Sequence, residues 1–89
     1  MDKQELRKEL MELHERMEAA IHQEPLDRDK LGRLMTDIVR ISQGEELDDI
    51  DPDTLREQIE DQAVGFEAKH PRLAGIMRDI MDVLGRLGI

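Results

Sequence analysis

The densest run of chemistry-bearing side chains lies between Asp49 and Glu60. Asp49, Asp51, Asp53, Leu55, Glu57 and Glu60 fall on positions one, three, five, seven, nine and twelve of a calcium-binding loop, where oxygen donors wrap a hard cation from several sides. The rest of that template is missing. Thr54 stands where the sharp turn needs glycine, Arg56 stands where an apolar residue belongs, and Pro52 favours an immediate helix start. A helix beginning there strings the carboxylates along a rod, and acids at a helix N-terminus are favoured by the dipole without any metal. Helix capping is the preferred reading. A cation or ligand site built from Asp49, Asp51, Asp53, Glu57 and Glu60 is the alternative.

Other constellations fail on spacing or on residue type. His14 is followed by Glu15 but lacks the second histidine of a zinc-protease helix, and His14 and His22 stand about 80° apart and two turns distant on a helix. His70 precedes Pro71 and reads as a boundary residue. Thr36, Ser42 and Thr54 are the only hydroxyl nucleophiles, none sits in an elbow motif, and cysteine is absent. The six glycines form no phosphate-cradling loop. Carboxylates abound, yet paired-acid chemistry needs a cleft that short helices scarcely enclose. These patterns predict a non-enzymatic chain without a cofactor.

The elements that would carry these residues read as helices throughout. Asp2, with Glu5 three residues on, has the form of an N-terminal cap. Leu6, Leu10, Leu13, Met17 and Ala20 then recur at spacings of four and three, widened by Met11 and Ile21, until Pro25 forces Glu24 out of helical geometry. Glu12 and Arg16 predict an ion pair on the solvated side. Asp27 is the next cap, and Leu31, Leu34, Met35, Ile38, Val39 and Ile41 trace a second stripe ended by Ser42-Gln43-Gly44. So short a connection makes the first two helices antiparallel neighbours.

After an acidic connector, Asp51-Pro52 opens a third helix with Leu55, Ile59, Ala63 and Phe66 on one side, interrupted by Gln62. Gly65 suggests a close approach of another backbone. His70-Pro71 breaks or kinks the run, since Pro71 has no N–H to bond back to Glu67. A fourth helix carries the widest apolar face, from Leu73, Ala74, Ile76, Met77, Ile80 and Met81 to Val83, Leu84 and Leu87. The four-three spacing continues across Pro71, so one long kinked helix competes narrowly with two separate ones. No strand-like alternation appears.

Composition limits the function classes. Eighty-nine residues with a single aromatic, Phe66, make a shallow core of Leu, Ile, Val, Ala and six Met, and in chains this small apolar burial and ordering entropy nearly cancel. Self-association is the simplest remaining aid, with Met either filling gaps or making an adaptable surface. The net charge of −9 argues against nucleic-acid binding. That charge is uneven: Glu45 to Asp61 holds nine acids and one base, net −8, whereas Lys69 to Ile89 holds four bases and two acids, net +2. Opposite ends of two copies could attract. No apolar run reaches membrane-spanning length, and the charged N-terminus lacks a signal-peptide pattern, so a cytoplasmic location is expected. A basic, broadly apolar last helix lying on an anionic membrane is a further alternative.

The run Phe66-Glu67-Ala68-Lys69-His70-Pro71-Arg72-Leu73-Ala74-Gly75, then Arg78-Asp79-Ile80 and the ending Leu84-Gly85-Arg86-Leu87-Gly88-Ile89, resembles a family of short bacterial proteins known as domain of unknown function 4404. Leu6-Arg7-Lys8-Glu9-Leu10 fits that family's Leu/Glu-rich first helix. The resemblance is strong over the last quarter of the chain and loose elsewhere. It implies bacterial origin, a helical fold and no assigned activity, and it supplies no catalytic residue.

The expected architecture is all-α: one helical domain over residues 1–89, with a first hairpin at 1–44, an acidic connector at 45–51 and a second hairpin at 52–89. The expected function is helical protein–protein interaction or self-assembly, as a homodimer or with another helical protein. Leu6, Leu10, Leu13, Met17, Phe66, Leu73, Ile76, Ile80, Val83, Leu84 and Leu87 are the expected interaction face.

Overall fold

Each helix start and stop has a local cause. In the computed structural model, which describes residues 2–23, 28–45 and 51–88, Asp2 precedes α1 (Lys3–His22) and its Oδ1 accepts the Glu5 N–H at 2.8 Å. This satisfies one of the amide donors that a helix start leaves without a partner. α2 (Arg28–Ser42) ends in a paired closure: the Gly44 N–H donates to Ile41 at 3.0 Å and the Glu45 N–H to Arg40 at 3.1 Å. That closure needs a left-handed residue, and Gly44 supplies it at φ +81°.

α3 (Pro52–Phe66) opens with proline in its first turn, where the missing N–H costs nothing, and with Asp51 accepting the Asp53 N–H at 3.2 Å. Two helices, rather than one kinked helix, flank Pro71. A residue before proline is kept out of the helical region, and His70 accordingly sits at φ −135°, ψ 63° between α3 and α4 (Pro71–Arg86). The His70 N–H still donates to Phe66, while its carbonyl accepts from Ala74 at 3.1 Å and so starts α4. Asp27, the cap anticipated for α2, lies outside the described residues, as do Glu24 and Pro25.

The four helices pack in the order α2, α1, α4, α3, neighbours antiparallel. Arg7, early in α1, lies over Gly44 at the end of α2, the guanidinium 3.3 Å from where a Cβ would stand. At the other end, Arg16 to Gln23 of α1 face Arg72 and Ile76 of α4. Across the second hairpin Arg78 donates to Glu67 at 3.0 Å. That bond, then the Glu67 charge and more weakly that of Glu60, raises the Arg78 pKa above its ordinary value despite a lesser opposing effect of desolvation.

One apolar cluster fills the space between the helices. Its fully buried members include Leu10 and Met17 of α1, Leu31 and Ile38 of α2, Leu55 and Ile59 of α3, and Met77 and Leu84 of α4. No buried residue among those described is polar or charged. Gly65 departs from expectation. It is exposed, and among the described residues a Cβ there would meet nothing within 4 Å, because it lies on the side of α3 turned away from the core.

Candidate functional site

The acidic template takes the form of a helix start. From Pro52 onward the chain is helical, which carries Asp53, Glu57 and Glu60 along the α3 surface instead of around a point. Asp51 uses both carboxylate oxygens in capping, one on the Asp53 N–H and the other accepting from the Thr54 hydroxyl at 3.2 Å. Asp53 pairs with Arg56 at 3.1 Å. Asp49, the first position of the template, lies outside the described residues. Among the described residues no three His, Asp or Glu side chains converge as a metal site.

The histidines and hydroxyls are placed with equal clarity. His14 and His22 flank Glu18 along the α1/α2 side, and His70 sits at the α3/α4 connection, edge-on to Phe66 with ring centres 5.9 Å apart. The Thr36 hydroxyl donates to Gly32, Ser42 to Val39 and Thr54 to Asp51, so each is held by its own helix start or turn. None is aligned with a base.

The side chains expected to form an interaction face are turned inward. Leu6, Leu10, Leu13, Met17, Leu73, Ile80, Val83 and Leu84 are buried in the chain's own core, and Phe66, Ile76 and Leu87 are half-buried at its edge. The apolar face of α4 that could have met a membrane is covered in the same way. Any contact between molecules must therefore use the partly open Phe66, Ile76 and Leu87 or atoms outside this set.

The outer side of the α1/α4 pair supplies them. Arg16, Ala19, Ala20 and Gln23 of α1 and Arg72 and Ile76 of α4 line an open cleft of about 490 Å³. Ala19, Ala20 and Ile76 are its apolar lining, and Arg16, Gln23 and Arg72 its polar lining. The anticipated Glu12–Arg16 ion pair does not form, and Arg16 lines this cleft. Four arginines find acids: Arg40 is 3.8 Å from Glu45, Arg56 is 3.1 Å from Asp53, Arg78 is 3.0 Å from Glu67 and Arg86 is 3.0 Å from Asp82. Among the described residues Arg7, Arg16, Arg33 and Arg72 have no such partner, and Arg16 and Arg72 are the two that share a cleft. The negative end of α1 and the positive end of α4 meet here and offset one another, so the guanidinium charge sets the local field.

A guanidinium stays protonated near neutral pH, so neither Arg16 nor Arg72 is suited to act as a general base. What two such groups do well is hold carboxylates, often through paired hydrogen bonds. The sequence pattern did not single out this cleft, because Arg16 and Arg72 are 56 positions apart and meet only once α1 lies beside α4.

No helix among the described residues is long and apolar enough to cross a membrane. Neither a curated protein nor a solved structure matches the chain significantly. A family model does, over residues 6–89, and with that match covering nearly all of this four-helix fold the chain belongs to the domain of unknown function family DUF4404.

Proposed function

We propose that the chain is a non-enzymatic helical module of the cytoplasm that acts by receiving a partner helix in the α1/α4 cleft. The partner helix carries carboxylates on its flanks. One observation supports this reading above others: in a chain with 22 acids and 13 bases, Arg16 and Arg72 line the same α1/α4 cleft as Ala19, Ala20 and Ile76 and engage no acid there. Ala19 and Ala20 add room, since packed helix axes lie about 8–10 Å apart and small side chains permit the shorter distances. A helix laid in a groove with apolar contacts beneath and charge pairs beside it is a common mode of recognition.

The test is a backbone NMR titration with a synthetic amphipathic helix that has leucines on one face and glutamates along its flanks. Shift changes should concentrate at Ala19, Ala20 and Ile76, and a lysine-flanked control should produce none. Equal responses to the two peptides, or responses centred away from the cleft, would remove the proposal.

A further inference from the structure

We infer that the helix received by this cleft is α3 of a second copy of the same chain. The inference rests on the cleft reading above and names its partner. The outward face of α3 matches the cleft in two respects. Asp53, Glu57, Glu60, Asp61 and Val64 follow at steps of four, three, one and three, which places them within about 100° of arc on a helix. The face is thus acidic along its length, with Asp53, Glu57 and Glu60 at its border with Met81 of α4. Val64 is also 55% exposed, the one large hydrophobic residue so exposed among the described residues.

Glu60 and Asp61 stand one turn before Val64, four and three positions away. An apolar side chain beside two carboxylates is the counterpart of Ala20 and Ile76 beside Arg16 and Arg72. Val64 would cover the apolar floor while Glu60 and Asp61 meet the guanidiniums. Asp53 takes no part, because it is already paired with Arg56.

The pairing has to be between molecules. Within one chain α3 packs against the Met81 side of α4, whereas the cleft lies on the Ile76 side, facing α1. A chain therefore cannot place its own α3 exterior in its own cleft. Because the α3 exterior and the cleft are different surfaces of one copy, contacts either close reciprocally about a two-fold axis, each α3 in the other copy's cleft, or propagate head to tail as a ring or filament. Salt weakens both this local attraction and the repulsion between two chains of charge −9, so the decisive experiment holds salt constant and changes charges instead.

Sedimentation velocity is measured on the wild type, on Arg16→Glu/Arg72→Glu, on Glu60→Arg/Asp61→Arg and on an equimolar mixture of the two variants, with circular dichroism confirming native helicity in each. Wild type should show species of at least twice 10.3 kDa whose share rises with concentration. Each double variant faces like charge with like and should run as a monomer. The mixture restores opposite charges and should recover the larger species. A wild type that stays monomeric at millimolar concentration, a variant that associates as the wild type does, or a mixture that stays monomeric overturns the inference. If the wild type is monomeric while the synthetic acidic helix still perturbs Ala19, Ala20 and Ile76, the second copy is eliminated and the cleft reading survives. If that peptide also fails, both fall.

Discussion

The two sides of the α1/α4 pair make opposite use of adjacent residues. Met17 is fully buried while Arg16 beside it is exposed, and Met77 is fully buried while Ile76 lies half-open in the cleft. A step of one residue turns a helix by about 100°, so each pair of sequence neighbours serves two environments. The inner side is closed and apolar and is already satisfied within the chain. The outer side keeps a small apolar floor and two cations without acids. Stability should therefore reside on the first side and recognition on the second, and substitutions can separate them.

The largest effect is expected on the inner side. Leu10→Ala removes a side chain with no exposed surface from a well-packed site and should cost about 2–5 kcal/mol of unfolding free energy. A domain of this length holds on the order of 4–13 kcal/mol in total, so urea unfolding followed by circular dichroism should shift conspicuously or show a partly unfolded baseline. A loss below about 1 kcal/mol would mean that α1 is loosely seated and would dissolve the contrast between its two sides.

A smaller effect of opposite sign tests how open the outer surface is. Gly65→Ala should stabilise the chain by up to about 1 kcal/mol, because alanine is the better helix former and a Cβ there meets nothing. A decrease in melting temperature would show that a neighbour does approach α3 at its last turn, as the glycine alone had suggested.

That glycine illustrates which features could be read from the residues and which could not. Four helices follow from the four-three spacing of Leu and Ile, and the caps at Asp2 and Asp51, the stop at Gly44 and the break at His70-Pro71 follow from local backbone chemistry. Those signals act within a few residues of where they are written. The meaning of Gly65 depends on which helix lies opposite, and no local pattern contains that. The same holds for Arg16: its neighbour Glu12 predicts an ion pair along α1, but the side chain lines a cleft that α4 completes. The apolar stripes themselves were legible as ridges that must be covered. Whether the chain or a second molecule covers them is decided by tertiary arrangement, and here the chain covers them itself.

The smallest effect on stability is expected for Arg16→Glu/Arg72→Glu, and its smallness follows from terms that oppose one another. Glutamate in place of Arg72, in the first turn of α4, gains at most about 0.3–1 kcal/mol from the positive helix end, reduced by the negative end of α1 that faces it. Glutamate in place of Arg16 faces Glu12 one turn earlier and loses about 0.2–0.5 kcal/mol to like-charge contact. Each exchange removes two units of charge, taking the chain from −9 to −13, and the added self-repulsion consumes much of the remaining gain. Neither arginine gives up an ion pair or hydrogen bond within the chain. The sum should lie within about 0.5 kcal/mol of zero, a melting shift of no more than a few degrees for a domain of this size. A fall of 2 kcal/mol or more, on the order of a lost buried interaction, would mean that these arginines brace α1 against α4 and would convert the cleft from a recognition surface into part of the fold.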